Sequence, residues 1–255
     1  MYFDSHAHLN DERFHEDRKQ LIQEAIQENI SYILNPGADL PSSKEAVMLA
    51  EKHDFIYAAV GVHPHDAKTV EEDSYKQLEE LARHPKVKAI GEIGLDYYYD
   101  NSPREVQKQV FQRQIKLASK LDLPIIIHNR DAHEDTYHIL EQHFRKNNGG
   151  VMHSYSGSVE MAQQFIALGL YLSISGPVTF KNARKAVEVV EKVPLDKLLI
   201  ETDSPYLTPL PFRGKKNHPA LVKYVAQKIA EIKNITVEEV AQQTTRNAKE
   251  LFRID

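Results

Sequence analysis

The sequence predicts a single-domain α/β protein folded as a (β/α)8 barrel, the TIM-barrel architecture, over residues 1–255. Three observations carry that expectation. Eight short β-rich segments alternate with longer amphipathic helical patterns along all 255 residues, close to the about 250 that such a barrel needs. Several of these segments are unbroken apolar runs, Ile125-Ile126-Ile127 and Leu198-Leu199-Ile200 among them, the pattern of parallel strands buried on both faces. No internal repeat, low-complexity stretch or Gly/Ser linker divides the chain, and eight alternating units in one domain favour a closed barrel over an open sheet.

Taken in order, strands are expected at residues 2–4, 32–35, 56–60, 87–91, 124–128, 150–153, 170–173 and 197–201. Between the first two, Leu21, Ile22, Ala25 and Ile26 fall on one face of a helix, with charged residues opposite. After the fourth strand, Ser102-Pro103-Arg104-Glu105 reads as a capping box with Pro at the first helical position. The helix it opens continues through Val106, Val110, Gln114, Leu117, Ala118 and Leu121. A helical stretch over residues 158–168 stops at Gly169, a C-terminal glycine cap. Thr236-Val237-Glu238-Glu239 is a second capping box and opens the last helix. Residues 203–219 form the least regular stretch, rich in Pro and Gly with a basic cluster at 213–216, and are expected to be a functional loop after the last strand.

Composition narrows the chemistry. Hydrophobic residues at 41% and charged residues at 27% are an ordinary globular balance. There is no cysteine, so disulfides and thiolate metal sites are excluded and any metal must be held by His, Asp and Glu. The net charge of −5 argues against a broad basic surface coating nucleic acid. A nucleic-acid enzyme stays open, because bound divalent ions supply positive charge where a scissile phosphate would sit. No basic n-region with an apolar h-region is visible, and no apolar run approaches the ~20 residues that cross a bilayer. The expectation is a cytoplasmic protein with no membrane association and no evident protein partner. A monomer is expected, for want of a coiled coil or an apolar stripe.

The placement of the thirteen histidines matters more than their number. His6 and His8 follow strand one, Glu92 ends strand four, His128 strand five and His153 strand six, and Asp203 follows strand eight. Barrel active sites form at the C-terminal ends of the strands, so these six side chains should converge. His6-x-His8 in extended chain puts both imidazoles on one face. Leaving all six clustered at one mouth without a ligand would strand unpaired polar groups at high cost.

Six ligands exceed what one ion with open positions needs, and the economical reading is two divalent metal ions per subunit with Glu92 as the bridge. One would take His6, His8, Asp203 and Glu92, the other Glu92, His128 and His153. Such a pair can share a hydroxide nucleophile, and Asp203 is expected to double as general base. Imidazole-rich ligation suits Zn, Mn, Co or Ni more than Mg, although availability can override affinity.

Other residues carry secondary expectations. His63, in Gly61-Val62-His63-Pro64-His65 after strand three, is read as catalytic, donating to a phosphate oxygen or leaving group, whereas His65 is expected in solvent. Arg130 can pair with a phosphate or brace carboxylates. Glu201 can orient a ligand from behind. The Tyr97-Tyr98-Tyr99 run can stack bases or pack the loop equally well. His15, His53, His84, His133, His138 and His143 fall on helices or helix ends and are expected at the surface. Arg213, Lys215 and Lys216 are candidates to hold substrate phosphates.

With these residues laid out, the chain resembles the TatD family of metal-dependent deoxyribonucleases, within the amidohydrolase-like barrels, over essentially its whole length. The resemblance rests on Phe3-Asp4-Ser5-His6-Ala7-His8, Gly61-Val62-His63-Pro64 and Gly91-Glu92-Ile93-Gly94-Leu95-Asp96-Tyr97. It rests equally on Ile127-His128-Asn129-Arg130-Asp131-Ala132, His153-Ser154-Tyr155-Ser156-Gly157-Ser158 and Glu201-Thr202-Asp203-Ser204-Pro205-Tyr206-Leu207. It implies metal ligation at the six positions named and hydrolysis of DNA phosphodiester bonds, as a 3′→5′ exonuclease acting on single strands or 3′ ends. Members of the family have been linked to DNA repair, and some related proteins to removal of D-amino acids from tRNA. One departure is visible. The loop reads Arg213-Gly214-Lys215-Lys216-Asn217-His218-Pro219, with His218 where the family commonly has Glu. Competing readings are hydrolysis of a small ester, lactone or amide, deacylation of D-aminoacyl-tRNA, and a non-catalytic metal-binding protein.

Overall fold

Apolar strands that need cover on both sides, each followed by a helix, close here into a ring. The computed structural model describes residues 1–255. Its strands are β1 (Tyr2–Asp4), β2 (Ile30–Pro36), β3 (Ile56–Val60), β4 (Val87–Asp96), β5 (Ile125–Arg130), β6 (Gly150–Met152), β7 (Tyr171–Ile174) and β8 (Leu198–Ile200). They pair in parallel in sequence order. The ends of the sheet meet where Ser5 N donates to Ile200 O at 3.0 Å and Asp203 N donates to His6 O at 2.9 Å. The helices are α1 (Arg18–Gln27), α2 (Leu40–Glu51), α3 (Glu72–Ala82), α4 (Arg104–Leu121), α5 (His133–His143), α6 (Val159–Ala167), α7 (Arg184–Lys192), α8 (Val222–Lys233) and α9 (Val237–Phe252).

Alternation along the strands sorts the core into two layers. Outward-facing residues such as Ile33, Ile90, Ile127 and Leu198 pack against the helices in a cluster of 48 buried residues. Phe3, Leu34, Ala59, Ala89, Ile126, Val151 and Leu199, one from each of seven strands, form a separate inner cluster with Ala248, Leu251, Phe252 and Ile254. The end of α9 therefore plugs the barrel from below, with the Phe252 ring centroid 5.9 Å from that of Phe3. The opposite mouth is left for polar side chains.

Three local differences from the sequence reading have physical reasons. β4 runs five residues past Gly91 because it stays paired with β5 through Ile93↔Ile127, Gly94↔His128, Leu95↔Asn129 and Asp96↔Arg130. Glu92 therefore lies within the strand, and Asp96 ends it. Gly94 permits this approach, since a Cβ there would lie 2.0 Å from His128 O. The box at Ser102 does not form: Pro103 is the N-cap of α4 without a side-chain cap, and Ser102 Oγ donates to His65 O at 2.8 Å instead. Ile26 is 47% exposed, because Leu21, Ile22 and Ala25 alone supply the buried face of α1. The box at Thr236 forms as read, and Ser158 caps α6.

Candidate metal centre

The seam between β1 and β8 is held by a buried carboxyl. Asp4 Oδ1 accepts from Thr202 N at 2.9 Å and His6 N at 3.3 Å, and Thr202 Oγ1 donates to Oδ2 at 2.6 Å. These bonds fix the segment carrying His6 and His8 against the one carrying Asp203, and His8 N donates to Ser204 O at 2.8 Å. Asp203 itself sits in the left-handed region at φ 54°, a conformation Asp tolerates better than most residues.

The six expected ligands do converge, and Glu92 stands between two groups. Its Oε2 lies 3.3 Å from His6 Nε2 and 3.6 Å from His8 Nε2, while Asp203 Oδ1 lies 3.8 and 3.6 Å from the same two nitrogens. Its Oε1 lies 2.8 Å from His128 Nδ1, 3.1 Å from His153 Nε2 and 3.6 Å from His63 Nε2.

Each histidine of the second group is oriented from behind. Glu201 Oε1 lies 3.0 Å from His153 Nδ1 and also accepts from Ser154 N at 2.8 Å. Asp96 Oδ2 lies 3.0 Å from His128 Nε2. A ring N–H donated to a carboxylate leaves the other nitrogen's lone pair facing the cluster. His63 differs: its Nδ1 accepts from His65 N at 3.2 Å, which leaves Nε2 as the protonated nitrogen of the neutral ring.

Burial and charge set the protonation pattern. Burial pushes the Glu92 carboxyl up, but His153, His63 and His6 overcome it and hold the group well below the usual carboxylate range. Burial opposes charge on His153, yet Glu92 and Glu201 raise it well above the ordinary imidazole value. Burial, aided by His6, pulls His8 down to about 4, and burial with His128 puts His63 well below its usual value. Burial raises Asp203 to about 6 against the pull of His153 and His6.

The residues fit divalent ions. His6 Nδ1 and Glu201 Oε2 are buried without a hydrogen-bond partner, and His6 Nε2 faces His8 Nε2 at 3.1 Å. Buried ligand atoms left without a partner are a condition that bound cations relieve. His6 with His8 and Asp203, and His63 with Glu92 and His128, each bring three ligand atoms within 4.8 Å of one another.

The cluster opens into a cleft of about 1160 Å³ that is also lined by Arg130, Tyr99 and Tyr206. The Arg130 guanidinium lies 4.0 Å from the Tyr98 ring centroid and 4.8 Å from that of Tyr99. Tyr97 turns away and donates to Asp135 at 2.6 Å. The basic loop does not reach the cleft. Lys216 Nζ is tied to Asp17 at 2.7 Å and donates to Arg13 O, Arg213 packs over Phe180, and Lys215 lies over Phe212. His218 sits 3.8 Å from Glu24 of α1. This loop is therefore braced against α1 instead of lining the cleft.

Two residues were undervalued. His65 is not in bulk solvent; its Nε2 lies 3.0 Å from Asp96 Oδ2. Asp96, fully buried, is the missed carboxylate. The available signal was strand alternation, since residues 92 and 96 share a face once the strand is extended through Gly94.

A barrel mouth furnished this way belongs to a metal-dependent hydrolase. The chain is a member of the TatD family, whose model, described as TatD related DNase, matches residues 3–253. It is 52% identical over 255 residues to the uncharacterized metal-dependent hydrolase YabD of Bacillus subtilis (strain 168), covering 100% of both chains. It is 40% identical to the uncharacterized metal-dependent hydrolase YcfH of Escherichia coli (strain K12), over 99% of this chain and 96% of the relative. The crystal structure of YjjV, a TatD homolog from Escherichia coli K12, superposes with a TM-score of 0.93 at 32% identity, covering 100% of this chain and 98% of that one. No helix is long and apolar enough to cross a membrane.

Proposed function

We propose that this protein hydrolyses phosphodiester bonds of DNA, acting as a 3′→5′ exonuclease on single strands or 3′ ends. The observation that carries the reading is the two-sided placement of Glu92, one oxygen toward His6 and His8 and the other toward His128 and His153. On this reading His6, His8, Asp203 and Glu92 hold one divalent ion, and Glu92, His128 and His153 hold the other. Bound divalent ions supply Lewis acidity and make water nucleophilic near neutral pH. Asp203, whose Oδ1 lies 3.8 Å from His6 Nε2 and 3.6 Å from His8 Nε2, would take the proton of the attacking water. His63 offers its Nε2–H to a phosphate oxygen or the leaving 3′-oxygen, and Arg130 pairs with a phosphate. Glu201 keeps His153 aimed.

Hydrolysis of 3′- and 5′-labelled single-stranded DNA with added Mn or Zn tests this, comparing wild type with Asp203→Ala. A ladder shrinking from the 3′ end and lost in the variant is expected. A metal-loaded wild type that leaves the strand intact removes the proposal. A second reading has one observation in its favour: Asp11, Glu12, Asp39, Glu45, Asp66 and Asp131 line the cleft, which suits a small ester or an aminoacyl ester with an ammonium group. Turnover of such esters well above that of DNA would select it.

A further inference from the structure

The cleft carries an unusual division of labour between aromatic and charged side chains. Tyr98, Tyr99 and Tyr206 are 58%, 54% and 48% exposed, among the few large apolar or aromatic residues left in solvent, and Tyr99 and Tyr206 line the cleft. Tyr206 follows β8 and Tyr99 follows β4, strands on opposite sides of the ring. Each is one ring removed from the metal cluster. Tyr206 meets His8 edge-on with centroids 6.3 Å apart, and Tyr99 meets His65 edge-on at 5.3 Å. Each is also backed by a guanidinium, Arg13 at 4.1 Å from the Tyr206 centroid and Arg130 at 4.8 Å from that of Tyr99. One face of each ring is thus held by a cation, and the exposed remainder is a platform.

Charge points the other way. Arg13 is chelated by Asp11 at 2.6 and 2.8 Å, so its charge is already matched. The Arg130 guanidinium lines the cleft and makes no hydrogen bond or ion pair, only its ring contacts with Tyr98 and Tyr99. Around it the walls carry Asp39, Glu45, Asp66 and Asp131. A polyanion laid along these walls would meet carboxylates, whereas stacking is indifferent to them.

We infer that the cleft takes only the two nucleotides flanking the scissile phosphate, splayed apart with one base on Tyr206 and the other on Tyr99, and that Arg130 is its one phosphate-reading cation. This rests on the nuclease reading above. The substrate is a short unpaired nucleic-acid end gripped by stacking more than by charge, and a paired duplex end is excluded until its terminal bases separate. Tyr98, perpendicular to Tyr99, packs against the Arg130 guanidinium, and Tyr97 takes no part.

The test uses thymidine dinucleotide and a longer oligothymidylate with metal-loaded wild type, Tyr99→Ala, Tyr206→Ala and the corresponding Phe variants. Wild type should process the dinucleotide nearly as efficiently as the oligomer. Its log kcat/KM should fall with log salt no more steeply than about −0.7, the value for the one scissile phosphate. Each Ala variant should lose roughly 10-fold to 100-fold in kcat/KM, mostly through KM, with Phe restoring it. An abasic nucleotide at the matching side should cost wild type as much and add nothing further in the variant. Ala losses that simply add to the abasic loss, the absence of any loss, or a salt slope of several units would overturn the inference while leaving the nuclease standing. A wild type inert on both oligonucleotides and on bis(p-nitrophenyl) phosphate would remove the nuclease reading and this inference with it.

Discussion

His128 Nε2 lies 3.0 Å from Asp96 Oδ2, an acceptor in a side chain with no exposure to solvent. The bond decides which nitrogen of the ring faces Glu92. Burial tends to raise the Asp96 carboxyl, but bonds from His128 and His65 and from the Tyr99 backbone hold it far below the usual range.

If two ions bind as proposed, Asp96→Asn should weaken the one assigned to Glu92, His128 and His153. Loss of a carboxylate behind a ligating histidine typically costs about 10–100-fold in metal affinity. Competition with a zinc-chelating dye reads this directly, and the weaker of two binding steps should move while the other stays. Unchanged affinity at both steps would remove Asp96 from the centre.

Asp4 makes a prediction about pH. Burial dominates its environment and lifts the carboxyl to about 8 despite the Thr202 and His6 bonds, against about 3.9 in an unfolded chain. A group raised on folding binds its proton more tightly in the native state. Its contribution is complete below the unfolded value and is lost as pH rises through the folded one. In chelator-treated protein, urea midpoints should show wild type falling relative to Asp4→Asn between pH 5 and pH 8, because the amide cannot ionise. Parallel curves for the two proteins would contradict the shift.

Phe252 is 1% exposed and seals the inner cluster. Phe252→Ala should cost about 3–5 kcal/mol of unfolding free energy, the range for a large aromatic removed from a packed core. Denaturant titration by circular dichroism measures it, and a loss under about 1 kcal/mol would mean the plug is loosely seated.

Lys216 pairs with Asp17 on the surface, both side chains being more than one-third exposed. Such pairs contribute about 0–1 kcal/mol. Lys216→Ala should lower stability within that range and change the KM for DNA less than about two-fold. A several-fold rise in KM would bring the loop back into substrate binding.

The barrel was legible because its signals are repetitive: apolar strand runs and amphipathic helices recur along the chain. The six convergent side chains were legible for a related reason, since strand ends in this architecture point to one place. What escaped depended on pairings invisible in one dimension. Asp96 was hidden because Gly91 and Gly94 look like a strand ending, when Gly94 is what lets β4 lie against His128. His65 looked solvated because its partner was not recognised. The Arg213, Lys215 and Lys216 cluster looked like a phosphate grip because charge can be counted in sequence, whereas the bond between Lys216 and Asp17 and the packing of Arg213 on Phe180 cannot. Ser102 shows the same limit on a smaller scale, its hydroxyl being claimed by His65 O.

The inner cluster joins Phe3, in the first strand, to Phe252 at the end of α9 and Ile254 just after it. During synthesis the lumen is therefore a bottomless tube whose apolar lining stays wet until residues 248–254 leave the ribosome. Partial chains have no way to complete that interior, and pairing the two ends demands the longest loop closure this fold contains. Most of the chain is thus translated before its interior can be sealed, and the apolar lining exposed in that interval makes the nascent state aggregation-prone.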